Sequence, residues 1–142
     1  MLKGISPLIS PELLKILMEM GHGDELVIAD GNFPAASCAQ RLVRADGLAV
    51  PPLLDGILQL FPLDPYVERP VGLMEVVPGD PYKPEIWPVY REIILKHDAG
   101  FKNFEMIERF AFYERAKKAY AILATGEAAL YANIIMKKGV VK

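Results

Sequence analysis

The sequence predicts an α/β fold: a three-layer sandwich with a mostly parallel or mixed central sheet and helices on both faces. Three observations carry this. Short apolar runs bounded by glycine, proline and aspartate recur along the chain, as expected of strands buried on both faces. Between them lie segments whose apolar residues return every three to four positions, the helical period. The two kinds of segment alternate, which is the pattern of a layered α/β architecture. At 142 residues the chain, residues 1–142, is expected to form one domain with a sizeable core.

The elements follow in order. Ser10-Pro11-Glu12 opens a helix, with serine as cap, proline at the first helical position and glutamate at the positive end. Leu13, Leu14, Leu17 and Met20 form its apolar face, and Gly21 is the expected left-handed stop. Leu26 to Ala29 is a strand, broken by Gly31-Asn32-Phe33-Pro34. Arg41 to Ala45 is a second short strand. Pro51-Pro52 opens a helix through Leu53, Leu54, Ile57, Leu58 and Phe61. The proline-rich stretch from Pro62 to Pro70 is expected to be an exposed excursion. Val71 to Val77 reads as a strand and Pro78-Gly79-Asp80-Pro81 as a turn. A helix from Pro84 runs through Ile86, Trp87, Tyr90, Ile93, Ile94 and Leu95, with Pro88 tolerated in its first turn. Phe104 to Glu108 is a strand and Phe110 to Lys118 a helix with Phe112, Ala116 and Ala119 inward. Tyr120 to Ala124 and Asn133 to Met136 are the last strands.

Composition excludes several classes. Hydrophobic residues make up 52% and charged residues 24%, with a net charge of -2, so the chain is neither disordered nor a basic nucleic-acid binder. One cysteine, Cys38, cannot form an internal disulfide or a multi-cysteine zinc site, and without a histidine or basic neighbour it reads as inert. The two histidines, His22 and His97, lack metal-ligand spacing, and glycine-rich phosphate fingerprints are absent. No metal and no cofactor are expected. No apolar run approaches the ~20 residues of a membrane span, and the N-terminus lacks a signal-peptide core. The expected location is therefore the cytoplasm. A mean hydropathy of +0.21 is high for a small monomer and points to apolar surface covered by partner subunits.

The best candidate for proton transfer is Gly21-His22-Gly23-Asp24. Histidine titrates nearest neutrality, and the flanking glycines leave the ring accessible. The competing reading is a capping histidine that bonds the free carbonyls of the preceding helix. Asp30 ends an apolar strand, where ligands of open α/β sheets collect; the bland reading is a turn aspartate bonding its own backbone. Arg109 supplies fixed donors for sugar oxygens or a carboxylate. Its alternative is a surface ion pair to Glu108 or Glu114, with Phe110 and Phe112 as core. Tyr113 is either a hydroxyl donor or the edge of the core. Strand alternation places Tyr131 and Asn133 on one face, a phenol and an amide able to read ring hydroxyls; an ordinary strand start is the alternative. His97, without a partner motif, is read as structural.

Taken together, Leu8-Ile9-Ser10-Pro11-Glu12-Leu13-Leu14, Gly21-His22-Gly23-Asp24, Arg44-Ala45-Asp46-Gly47, Glu108 to Ala116, Tyr131-Ala132-Asn133-Ile134-Ile135 and Lys137-Lys138-Gly139-Val140 make the chain similar, end to end, to the sugar mutarotase and pyranase family. Arg109-Phe110-Ala111-Phe112-Tyr113-Glu114-Arg115 and the opening segment resemble its fucose branch more than its ribose branch. The resemblance implies a catalytic acid at His22 and sugar contacts from Asp30, Arg109, Tyr131, Asn133 and the backbone of Ala132. It implies a fucose-like pocket from Tyr113, where the ribose branch tends to carry histidine. It also implies a closed homo-oligomeric ring, typically a decamer, with pockets near subunit contacts. Two positions depart from the fucose pattern: Asn32 and Ala36 stand where that branch commonly has histidine. The expected reaction is anomer interconversion of a free monosaccharide such as L-fucose. Ribose-type pyranose–furanose interconversion and a non-catalytic sugar-binding ring are the alternatives.

Overall fold

The computed structural model describes residues 1–142. The elements are α1 (Pro11–Glu19), β1 (Glu25–Ala29), α2 (Ala35–Cys38), β2 (Leu42–Ala45), α3 (Val50–Leu58), β3 (Val71–Met74), α4 (Ile86–His97), β4 (Glu105–Ile107), α5 (Arg109–Lys118), β5 (Ala121–Thr125) and β6 (Ile134–Lys137). The strands form one sheet in the order β2-β5-β1-β6-β3-β4. β6 runs antiparallel to both its neighbours, and the other strands run parallel to one another. Three of the five pairings are thus parallel, within the mostly parallel or mixed sheet that the continuous apolar runs predict.

Alternation along each strand feeds two cores. Leu26, Ile28, Leu73, Leu123, Ile134 and Met136 face α1, α3 and α4 in a cluster of 24 buried residues. Val27, Ala29, Met74, Ile107, Ile122 and Ile135 face α2 and α5 in a cluster of 12. The first core is twice the second, so most apolar burial anchors the α1/α3/α4 layer.

Local chemistry explains the ends. The Ser10 hydroxyl accepts the Leu13 N–H at 3.1 Å, capping α1 as read from sequence. Gly21 is not its left-handed stop: α1 ends at an extended Met20, and the positive φ falls at Gly23 (88°). The four residues of α2 carry too short a period to be legible. β3 stops at Met74 rather than Val77, since Val76 and Val77 have left the ladder to enter the Pro78–Asp80 turn. The Pro62–Pro70 stretch is only partly an excursion. Leu63 and Asp64 are buried, and Leu63 bridges Lys138 beyond the end of β6. Helix α4 begins at Ile86, which puts Pro88 in its first turn. β6 starts at Ile134, because Tyr131 takes a φ of 56° that no strand residue adopts.

Candidate active site

The candidate residues divide between the two ends of β1. Asp30 follows its carboxyl end and His22 precedes its amino end. Five extended residues separate them, roughly 16 Å of strand at ~3.3 Å each.

At the carboxyl end, register assembles the cluster. Ile134 pairs with Ile28, so the residue before it, Asn133, falls opposite Ala29, within side-chain reach of Asp30. The Asp30 backbone N–H donates to Asn133 Oδ1 at 2.8 Å. Burial pushes the Asp30 carboxyl up; hydrogen bonds from the Asn32, Phe33 and Ala132 backbones and the Asn133 side chain oppose this without overcoming it. Asp30 therefore is a turn aspartate, accepting the Asn32 N–H at 3.0 Å, and also the polar floor of a cluster.

Tyr131 stands next to it. Strand alternation does not align it with Asn133, since its left-handed backbone breaks the alternation. Its hydroxyl donates to Asp80 Oδ2 at 2.7 Å and its ring stacks on Tyr82 at 5.9 Å. That bond holds the Asp80 carboxyl below its usual range and pushes the Tyr131 phenol up. Arg109, the first residue of α5, donates from Nε to the Tyr113 hydroxyl at 3.2 Å. It pairs with neither Glu108 nor Glu114: Glu108 instead caps α5 through the N–H groups of Phe110 and Ala111. Phe112 is core, whereas Phe110 is 65% exposed. The Tyr113 ring lies 5.5 Å from that of Phe33, in the turn after Asp30. Asp30, Tyr131, Ala132, Asn133, Arg109 and Tyr113 thus share the carboxyl end of the parallel strands. A recess of about 180 Å³ beside Arg109 is lined by Glu75 to Pro78 and Glu108 to Phe110.

At the other end, the His22 side chain is 45% exposed, and its Nε2 donates to Asp64 Oδ1 at 3.1 Å. It caps no helix. Asp64 is buried and fixed: its N–H bonds the Lys137 carbonyl and its Oδ1 accepts the Tyr66 N–H. Burial pushes its carboxyl up, but the Tyr66 N–H and the His22 ring outweigh this and hold it below the usual range. An ionised carboxylate only accepts, so the pair requires a hydrogen on Nε2 and leaves Nδ1 for another partner. The Tyr66 ring packs 5.4 Å from the imidazole.

Sequence reasoning missed Asp64, Asp80, Trp87 and Tyr90. Asp64 lies 42 residues from His22, and no spacing rule links them. Trp87 and Tyr90 reach the Tyr131–Ala132 carbonyls from α4 and read from sequence only as core. His97, read as structural, bonds Asp55 of α3 at 2.7 Å and fastens α4 to α3, a structural role. No group of three or more histidine, cysteine, aspartate or glutamate side chains is gathered where it could hold a metal ion, and no helix is long and apolar enough to cross a membrane.

Fold and site together define a mixed-sheet α/β protein that gathers polar side chains at the carboxyl ends of its parallel strands, where ligands of such sheets collect. The chain belongs to the RbsD / FucU transport protein family, whose model matches residues 3–141. It is 56% identical over 140 residues to the L-fucose mutarotase of Actinobacillus pleuropneumoniae serotype 5b, covering 99% of this chain and 97% of that protein. It is 54% identical over 144 residues to the fucose mutarotase of Homo sapiens, covering 98% and 94%. The fucose mutarotase of Streptococcus pneumoniae, solved in complex with L-fucose, matches with a TM-score of 0.95 and 58% identity over 99% of this chain and 100% of that one. Bacillus subtilis RbsD complexed with D-ribose, at 23% identity and a TM-score of 0.74, shares the fold alone.

Proposed function

We propose that this protein is an isomerase that interconverts the α and β anomers of L-fucose. It acts in the cytoplasm as a homo-oligomer of single-domain chains, a decameric ring by the resemblance. What carries this reading is the end-to-end likeness to a fucose mutarotase solved with L-fucose, at 58% identity.

Mutarotation needs two proton transfers. The ring oxygen takes a proton as the bond from it to the anomeric carbon breaks, and the anomeric hydroxyl gives one up as its oxygen becomes the aldehyde carbonyl. Rotation about the bond from that carbon to the next, then closure on the other face, inverts the anomer. No electrons change hands. General acid–base catalysis of ~10²–10⁴-fold suffices for a reaction that is already measurable in water.

In this reading His22 donates and recovers the proton through Nδ1, while Asp64 orients the ring. Asp30, Tyr131, Asn133 and the Ala132 backbone fix the sugar hydroxyls. Arg109 stabilises charge on the opening oxygen, and Tyr113 assists. Since β1 separates His22 from Asp30 by roughly 16 Å, a second copy supplies the imidazole. Exposed side chains at both ends support such a contact: Phe110 and Leu130 on one side, Tyr66 on the other, are 65%, 50% and 66% exposed.

Saturation-transfer NMR on L-fucose tests this. Wild-type protein accelerates anomer exchange, and His22→Ala removes ~10²-fold or more of it while leaving assembly intact. Equal exchange with and without the imidazole would refute its role. D-ribose, D-galactose and D-arabinose in the same assay rank the sugars. Tight binding without faster exchange would make the protein a sugar-binding ring instead.

A further inference from the structure

Helix α4 reaches the Tyr131–Asn133 turn from behind through two side chains on one face. Trp87 Nε1 donates to the Tyr131 carbonyl at 2.8 Å, and the Tyr90 hydroxyl donates to the Ala132 carbonyl at 2.7 Å. Tyr90 is fully buried. Burial, with the nearby charges of Glu127 and Asp30, pushes its phenol up, so the hydroxyl remains a donor.

These carbonyls belong to an unusual piece of backbone. Tyr131 is the one non-glycine residue with a positive φ, 56°, a region that side chains with a Cβ enter only when the surroundings hold them there. The peptide that joins Tyr131 to Ala132 is planar, so its C=O and N–H move together. Its C=O is held by Trp87, and its N–H lies on the side of the Asp30 carboxylate, whose charge it favours. The next peptide, whose C=O is held by Tyr90, leads into Asn133, and the Asn133 amide in turn grips the Asp30 backbone. Fixing the two carbonyls from α4 therefore fixes where Asp30, Tyr131 and Asn133 stand relative to one another.

We propose that Trp87 and Tyr90 are positioning residues for sugar binding, which lock the two peptides flanking Ala132 and act on the substrate only through the turn. This rests on the reading that the turn binds the sugar. Trp87→Phe and Tyr90→Phe each remove one donor and keep the ring. In the L-fucose exchange assay on the full-chain assembly, each raises KM about fivefold, the worth of one hydrogen bond, and leaves kcat within about twofold. A merely structural role lowers the folded fraction, hence apparent kcat, without moving KM. Because KM does not depend on how much enzyme is folded, partial unfolding of Tyr90→Phe does not mask the result. Asn133→Ala serves as the reference. If it raises KM while both α4 variants leave KM unchanged, the positioning role is wrong. If Asn133→Ala itself leaves KM unchanged, the turn is no sugar site and both readings fall.

Discussion

Asp30 and Asp64 are both buried aspartates, yet their surroundings push their charge in opposite directions. Burial dominates at Asp30 and raises its carboxyl. At Asp64 the Tyr66 N–H and the His22 ring win and lower it. The consequences for stability have opposite signs. The folded state holds the Asp30 proton more tightly than the unfolded chain does. The contribution of Asp30 to stability therefore grows as pH falls from its raised value toward the ordinary ~3.9. Asp64 contributes stability above that ordinary value, and this is lost as pH falls through its lowered one. Side-chain carboxyl NMR titration is expected to find the Asp30 midpoint above that of Asp64; the reverse order would mean that burial does not govern Asp30. With Asp30 holding the sugar as proposed, L-fucose affinity is expected to follow the Asp30 charge. It is constant at neutral pH and declines on acidification before ordinary carboxylates titrate, which calorimetric titration across the weakly acidic range can follow.

At the scale of elements, the His22–Asp64 pair depends on how the chain after β6 packs against residues 63 and 64. A Cβ on Gly139 would lie 2.5 Å from the Leu63 carbonyl oxygen and 2.9 Å from the Asp64 Cα, both backbone atoms with no rotamer to give. Gly139→Ala is expected to cost ~1–3 kcal/mol and to shift Asp64 away from the imidazole. On Gly72 in β3, a Cβ meets the Cδ1 of Ile107 at 2.6 Å and the Cγ2 of Ile135 at 3.0 Å, ends of core side chains that are not themselves candidate site residues. Gly72→Ala therefore lowers the melting temperature but spares the exchange rate, whereas Gly139→Ala lowers both; equal exchange rates in the two variants would count against Asp64. Most elements were legible in sequence because their signals are local. The Ser10-Pro11-Glu12 start, the apolar run of β1 and the turn at Pro78–Asp80 depend on neighbouring residues alone. The end of that apolar run likewise marked Asp30, whereas Arg109, Tyr113, Tyr131, Ala132 and Asn133 were gathered as one set only by the resemblance, and the alternation read for Tyr131 does not hold. What the sequence hid was long-range. Asp64 sits in a stretch whose prolines suggest exposure, and only its pairing with β6 buries it. The left-handed Tyr131 has no local signature, because α4, 44 residues away in sequence, helps to hold it.

For the whole molecule, the separation of His22 from Asp30 makes a prediction that a site within one chain does not share. In the proposed mechanism each chain carries an acid–base half at the amino end of its strands and a sugar-reading half at the carboxyl end. A contact that joins one copy's first half to another copy's second half is head-to-tail, and such contacts close into rings when the rotation allows. Two variants then become complementary. His22→Ala chains keep the sugar-reading half, and Asn133→Ala chains keep the imidazole, so neither assembly alone exchanges L-fucose at the wild-type rate. After subunits are mixed in equal amounts, unfolded and refolded together, each contact draws its two halves independently. About one contact in four then pairs an intact imidazole with an intact sugar half, and exchange recovers to about a quarter of wild type for a head-to-tail arrangement. Were both halves to serve the same chain, every chain would carry one defect, and mixing would restore nothing. The recovered fraction therefore measures how many copies build one site, and a mixture as inactive as its parents would remove the second copy from the mechanism.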